Sequence, residues 1–158
     1  MASERVRRVH PLAHMCDAMC EPAPIPRVVL VVDDDHETLA LLMAVLTDEG
    51  YSVCAETTAL AAFRRIVDGE RGDGPRVDVV LTDFRLGSVS GAMLVDGIQS
   101  VCARATVLLM TGFPSREVTR LAESFGVEVL AKPFTLDVLC DAIGRAIPWS
   151  DGEALQVS

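Results

Sequence analysis

No stretch of the 158-residue sequence approaches the roughly 18 consecutive apolar residues of a membrane span; Val28–Val32 is a run of five. A membrane-embedded protein is therefore not expected. Arg5, Arg7 and Arg8 are followed by no uninterrupted apolar stretch, so a cleaved secretory signal is not expected either, and the chain reads as cytoplasmic. Clusters of Lys and Arg are missing from residues 27–147, and the formal net charge is −9 with a pI near 4.7. A nucleic-acid partner, which needs basic groups to neutralise phosphates, is excluded on that ground. The five cysteines, Cys16, Cys20, Cys54, Cys102 and Cys140, are odd in number and scattered, and the last three fall within apolar patterns. That describes buried thiols in a reducing compartment better than a disulfide framework. Half of the residues are hydrophobic, enough for a sizeable core.

The pattern divides the chain into residues 1–26, 27–147 and 148–158. The first 26 residues hold four of the eight prolines, with Pro22, Pro24 and Pro26 alternating, and read as a flexible tail or linker. His10, His14, Cys16 and Cys20 lie there at a spacing that matches no standard zinc pattern, so no metal site is expected from them. Met15 and Met19 leave open a later natural start. Residues 148–158 are polar and read as a second tail.

Between the tails the apolar period switches repeatedly. Val28–Val32 is a continuous run, as in a strand buried on both faces. Leu39, Leu42, Met43 and Leu46 follow at helical spacing, with Gly50 where a helix would stop. Tyr51–Ala55 predicts a second strand; Leu60, Phe63, Ile66 and Val67 mark a second helix that ends in a loop, Gly69–Pro75. The third strand is predicted at Val77–Thr82, with a loop through Gly91 and a helix carrying Leu94, Ile98 and Val101. Thr106–Met110 and Val127–Ala131 are the fourth and fifth strands. Val118, Leu121, Ala122 and Phe125 mark the helix between them, and Leu136, Leu139, Cys140, Ile143 and Ile147 mark the last. Five strands alternating with five helices imply an α/β fold: a parallel sheet with helices on both faces. There are no internal repeats, and no room for a second domain.

Polar residues collect after the strands: Asp33, Asp34 and Asp35 after the first, Asp83 after the third, Thr111 after the fourth and Lys132 after the fifth. With strand order 2-1-3-4-5, strands one and three are neighbours at the point where the order reverses, where open α/β sheets bind ligands. Adjacent strands stand roughly 4.8 Å apart, so Asp33, Asp34 and Asp83 are expected to converge. Carboxylates so close repel one another, and Mg²⁺, a hard cation needing one or two carboxylates with water and phosphate oxygens, relieves that best. Lys132 lies two strands from Asp83, roughly 10 Å, within reach of much of a lysine stem. It is the only lysine beside thirteen arginines, and it ends an apolar strand. Thr111 between them offers a hydroxyl. Each residue has a plainer reading: Asp34 with Glu37 has capping-box form, and Asp or Thr after a strand is an ordinary turn residue.

The segments Val-Val-Asp-Asp-Asp (31–35), Leu-Thr-Asp-Phe-Arg-Leu (81–86), Met-Thr-Gly (110–112) and Ala-Lys-Pro-Phe (131–134) together resemble the receiver domain of two-component response regulators, across residues 27–147. The resemblance implies the flavodoxin-like receiver fold and a phosphoryl group accepted on Asp83 from a histidine kinase or histidine phosphotransfer protein. It implies Mg²⁺ held by Asp34, Asp83 and the backbone carbonyl of Arg85, with Asp33 acting through water. Thr111, Gly112 and Lys132 would surround the phosphoryl oxygens, Gly91 would end the loop after the third strand, and Lys132–Pro133 would be a cis peptide. Two positions depart from the family. Gly87 stands where proline is usual, which suggests a looser loop. Val129 replaces the aromatic residue that often reports activation. The expectation is a single-domain response regulator: a phosphoacceptor switch rather than an enzyme, signalling to an unknown protein target. The alternatives are a receiver-like scaffold that works without phosphorylation and an aspartyl-nucleophile, Mg²⁺-dependent phosphohydrolase. The second needs a general acid close after Asp83, where the sequence has Phe84 and Arg85.

Overall fold

The structure is a computed structural model and describes residues 27–147; the expected tails, and with them His10, His14, Cys16 and Cys20, lie outside the described residues. Twelve elements follow in order: β1 (Val28–Val32), α1 (His36–Asp48), β2 (Ser52–Glu56), α2 (Ala59–Arg71), β3 (Val79–Asp83), β4 (Arg85–Leu86), β5 (Val89–Ser90), α3 (Gly91–Val101), β6 (Thr106–Thr111), α4 (Arg116–Phe125), β7 (Glu128–Ala131) and α5 (Leu136–Ala146).

Five strands form one parallel sheet in the order β2-β1-β3-β6-β7. The sequence order 2-1-3-4-5 is thus observed, the short strands β4 and β5 taking two numbers in between. The three central strands are buried on both faces, which is why β1, β3 and β6 read as unbroken apolar runs. Alternate residues feed two cores. Leu30, Val32, Val80, Val107 and Leu109 meet α2, α3 and α4 through Ile66, Ile98 and Ala122. Val29, Val31, Val79, Leu81, Leu108 and Met110 meet α1 and α5 through Leu42, Leu46, Leu139 and Ile143. Cys102 is buried, and Cys54 and Cys140 are half-buried; all three are free thiols. Among the described residues no helix is long and apolar enough to cross a membrane.

Three local expectations are corrected. Helix α2 does not stop at Gly69 but continues to Arg71 and ends on Gly72, whose φ of 86° gives the left-handed cap. Gly69 is required for a different reason: a Cβ there would lie 2.6 Å from the carbonyl oxygen of Pro75, where the following loop folds back. Strand β3 begins at Val79 rather than Val77, because the Asp78 carboxylate accepts the Val28 N–H at 2.8 Å before the ladder starts. Helix α1 is capped by Asp35, not Asp34. Its carboxylate accepts the N–H groups of Glu37 and Thr38 and the Thr38 hydroxyl, the last at 2.6 Å.

The segment after β3 is a tight antiparallel hairpin, β4 pairing with β5. Gly87 takes the first position of its turn with φ of 61°. A proline, with φ held near −65°, could not adopt that backbone, so the departure noted at Gly87 belongs to a defined turn rather than a loosened loop.

Candidate functional site

Strands β1 and β3 are paired with Val32 opposite Thr82, so Asp33 and Asp83 stand side by side at the carboxyl edge of the sheet. Asp33 is buried, with 2% of its side chain exposed. Its Oδ1 accepts the Asp35 N–H at 2.9 Å. Asp83 keeps 17% of its side chain accessible, and its Oδ1 accepts the Arg85 N–H at 2.7 Å.

The remaining oxygens of both carboxylates meet the same group. Lys132 Nζ lies 2.7 Å from Asp83 Oδ2 and 3.0 Å from Asp33 Oδ2. Lys132 directly follows β7, where Ala131 pairs with Thr111 of β6, and its N–H donates to the Thr111 carbonyl at 2.7 Å. The stem therefore crosses from one edge of the sheet to its centre. Burial disfavours the charged ammonium, but the hydrogen bonds and charges of Asp83 and Asp33 together outweigh it and hold the Lys132 pKa above the ordinary lysine value. The peptide bond from Lys132 to Pro133 is cis.

Thr111 is buried, and its hydroxyl oxygen accepts the Phe113 N–H at 3.1 Å. Gly112 beside it is exposed, with open space where a Cβ would stand. Gly91 has the opposite surroundings: a Cβ there would lie 2.6 Å from the Asp83 carbonyl oxygen and 3.0 Å from the Phe84 Cα. Only glycine lets the start of α3 press against the backbone of the Asp83 loop, where the Gly91 N–H reaches the Phe84 carbonyl at 2.7 Å.

The expected convergence of three acids is realised for two. Asp33 and Asp83 are brought together. Asp34 is exposed and, among the described residues, makes no hydrogen bond or ion pair. No group of three or more Asp, Glu, His or Cys side chains among the described residues stands in a cation-holding arrangement. Asp33 and Asp83 instead meet on one positive charge, the Lys132 ammonium. The donor set nevertheless suits a small hard cation. It is all oxygen, it is two-thirds uncompensated once Asp34 is included, and Asp34 faces solvent with both oxygens available.

Sequence reasoning missed three contributors. Thr82 is fully buried and its hydroxyl donates to the Asp83 carbonyl at 3.1 Å. The resemblance assigns a role to the backbone of Arg85 alone, whereas its guanidinium stacks over Phe113, an aromatic residue that is 71% exposed. The usable signal was an aromatic two residues beyond Thr111 in a loop otherwise built of Gly, Pro and Ser.

Comparison with known proteins gives a consistent result. The response regulator receiver domain family matches residues 29–144. The chain is 34% identical over 126 residues to transcriptional regulatory protein GlrR of Escherichia coli (strain K12), covering 79% of this chain and 27% of that protein. It thus spans little more than a quarter of that relative. Sporulation initiation phosphotransferase F of Bacillus subtilis (strain 168) is 27% identical over 121 residues, which cover 76% of this chain and 93% of that one. The crystal structure of a response regulator receiver domain protein from Clostridium thermocellum superposes with a TM-score of 0.70 at 27% identity, over 77% of this chain and 94% of that one.

Proposed function

The chain belongs to the response regulator receiver domain family, and from that premise we propose that it is a phosphoacceptor switch modified on Asp83. The phosphoryl group comes from a phosphohistidine on a histidine kinase or phosphotransfer protein, and the modified site signals through protein contacts. A relative named as a phosphotransferase, matched over 93% of its length, supports this reading.

The observation that carries it is the difference between the two carboxylates joined by Lys132. Both touch the ammonium, but Asp33 is sealed in, whereas Asp83 remains accessible. Asp83 is therefore the carboxylate a donor can reach. Its oxygen attacks phosphorus, the P–N bond to the donor imidazole breaks, and that nitrogen keeps the electron pair and takes up a proton. The product is an acyl phosphate, prone to hydrolysis, which suits a reversible signal. Lys132 offers its charge to the phosphoryl oxygens, Thr111 offers its hydroxyl, and Gly112 leaves space for them.

Asp34, Asp83 and the Arg85 carbonyl would hold Mg²⁺, with Asp33 acting through water. The cation would neutralise charge developing on the transferred group. The chain then turns over no metabolite: it adds and loses its own phosphoryl group and is a switch rather than an enzyme. Free thiols at Cys54, Cys102 and Cys140 fit the reducing cytoplasm, where such a partner kinase would act.

Incubation with Mg²⁺ and acetyl phosphate, followed by intact-mass measurement, tests the reading. One phosphate adduct is expected on the wild type, abolished in Asp83→Asn. No adduct on the wild type would point to a scaffold that works unmodified, and sustained phosphate release from an added metabolite would point to a phosphohydrolase.

A further inference from the structure

Thr82 stands directly before Asp83, at a position that the sheet marks for an apolar side chain. Its partners across the sheet are Val32 of β1 and Leu109 of β6. Both are fully buried in the core that meets α2, α3 and α4, and Val80, two residues earlier on β3, feeds the same core. Alternation along the strand turns Thr82 to that face as well. A valine of the same shape would fill the place. The hydroxyl, with no access to water, costs free energy there unless it is bonded. It is bonded, to the carbonyl oxygen of Asp83 at 3.1 Å.

That carbonyl belongs to the peptide unit on which the chain leaves β3. At the other end of the unit the Phe84 N–H donates to the Met110 carbonyl at 2.8 Å, so the unit is tied on both sides. One residue further, the Arg85 N–H reaches back to Asp83 Oδ1 at 2.7 Å, while Asp83 Oδ2 meets Lys132. Tilting the peptide between Asp83 and Phe84 would carry the Arg85 N–H away from the carboxylate and release one of the two contacts that orient it.

We infer that Thr82 is a positioning residue for phosphoryl transfer to Asp83. Its buried hydroxyl fixes the peptide after Asp83 and, through the Arg85 N–H, the orientation of the attacking carboxylate. The role rests on the reading of Asp83 as the phosphoacceptor. Small displacements of a reacting group cost rate, whereas a buried residue has no contact with the donor. Loss of the hydroxyl should therefore slow the transfer step and leave donor binding unchanged.

Two pairs of chains differ by this hydroxyl: the wild type against Thr82→Val, and Thr82→Ser against Thr82→Ala. Phosphorylation of each by acetyl phosphate at saturating Mg²⁺ is followed by intact mass over a range of donor concentrations. In each pair the chain without the hydroxyl is expected to show a limiting rate about fivefold lower, the scale of one neutral hydrogen bond, at the same half-saturating donor concentration. Amide exchange by NMR on the unphosphorylated chains supplies a reading independent of the reaction. The Arg85 amide should exchange faster in Thr82→Val and Thr82→Ala, beyond any change in global stability seen by urea denaturation, and should be restored in Thr82→Ser.

Equal limiting rates within either folded pair would overturn the role of Thr82, as would a loss confined to the half-saturating donor concentration. An Arg85 amide that stays unmoved in both variants would overturn it too, because the hydroxyl would then not reach the carboxylate. In each of these cases Asp83 would remain the phosphoacceptor. If the wild type takes up no phosphoryl group, that reading itself fails, and the role of Thr82 falls with it.

Discussion

The guanidinium carbon of Arg85 lies 5.1 Å from the centroid of the Phe113 ring, joining the hairpin that follows Asp83 to the loop that follows Thr111. Backbone contacts run in the same direction, because the Arg85 N–H binds Asp83 and the Phe113 N–H binds Thr111. The two segments that frame the site are therefore tied twice, once through their backbones to the site and once to each other through a cation–π contact. Arg85→Ala and Phe113→Ala, combined in a double-mutant cycle and followed by urea denaturation, should give a coupling of about 0.5–1 kcal/mol, the range for an exposed pair. Strict additivity would show that the stack contributes nothing in solution.

Two glycines near the site should behave in opposite ways. Alanine at Gly91 would place a Cβ 2.6 Å from the Asp83 carbonyl oxygen, a backbone atom that cannot swing aside. Gly91→Ala is expected to cost about 1–3 kcal/mol, as overpacking does, and to weaken phosphorylation by displacing Asp83. Gly112→Ala meets nothing within 4 Å and should lie within about 0.5 kcal/mol of the wild type. Chemical denaturation of both variants checks the contrast, and equal losses would mean that close approach is not what demands glycine at Gly91.

Most of the sheet was legible because its central strands are buried on both faces and so read as continuous runs, such as Val28–Val32 and Thr106–Met110, alternating with helical stripes. The hairpin Arg85–Ser90 was not legible, since two-residue strands show no period; only Gly87 marked it, and the mark read as looseness. The triplet Asp33–Asp35 shows the limit at the site itself. Three identical side chains in succession do three different things here: Asp33 turns inward to Lys132, Asp34 faces solvent, and Asp35 caps α1. Residue type and order do not distinguish them. What separates them is the backbone direction as the chain leaves β1, and that is fixed by packing far along the chain.

The α1 cap should respond to acid. The Thr38 hydroxyl and the Glu37 N–H, both donating to Asp35, hold its pKa below the ordinary aspartate value of 3.8. A group whose folded pKa is lowered contributes stability above its unfolded pKa and loses it as pH falls through the folded value. The contribution of Asp35 should therefore be intact at pH 5 and fade below about pH 4. Amide exchange in the first turn of α1, followed from pH 5 to pH 2.5, should accelerate in the wild type. Asp35→Ser keeps a capping oxygen without a titrating group and should flatten that response. An unchanged pH response in Asp35→Ser would assign the acid sensitivity elsewhere.

Asp34 carries a negative charge beside a pair that Lys132 compensates only in part, and among the described residues no cation faces it. Asp34 directly follows Asp33, so folding carries a further negative charge to the end of the sheet where Asp33 and Asp83 stand, and without a cation that charge is expected to oppose folding. Asp34→Asn should accordingly raise the urea midpoint in chelator. Millimolar Mg²⁺ should reverse the ranking: a cation that binds the folded chain stabilises it by mass action, and Asp34→Asn removes a carboxylate proposed to hold that cation. The wild type should gain stability with each tenfold increase in Mg²⁺ beyond saturation, while the variant gains little over the same range. A residue kept for a ligand at the expense of the unliganded fold has this signature. A variant less stable than the wild type in chelator, or equally stabilised by Mg²⁺, would show that Asp34 serves the fold and not the cation.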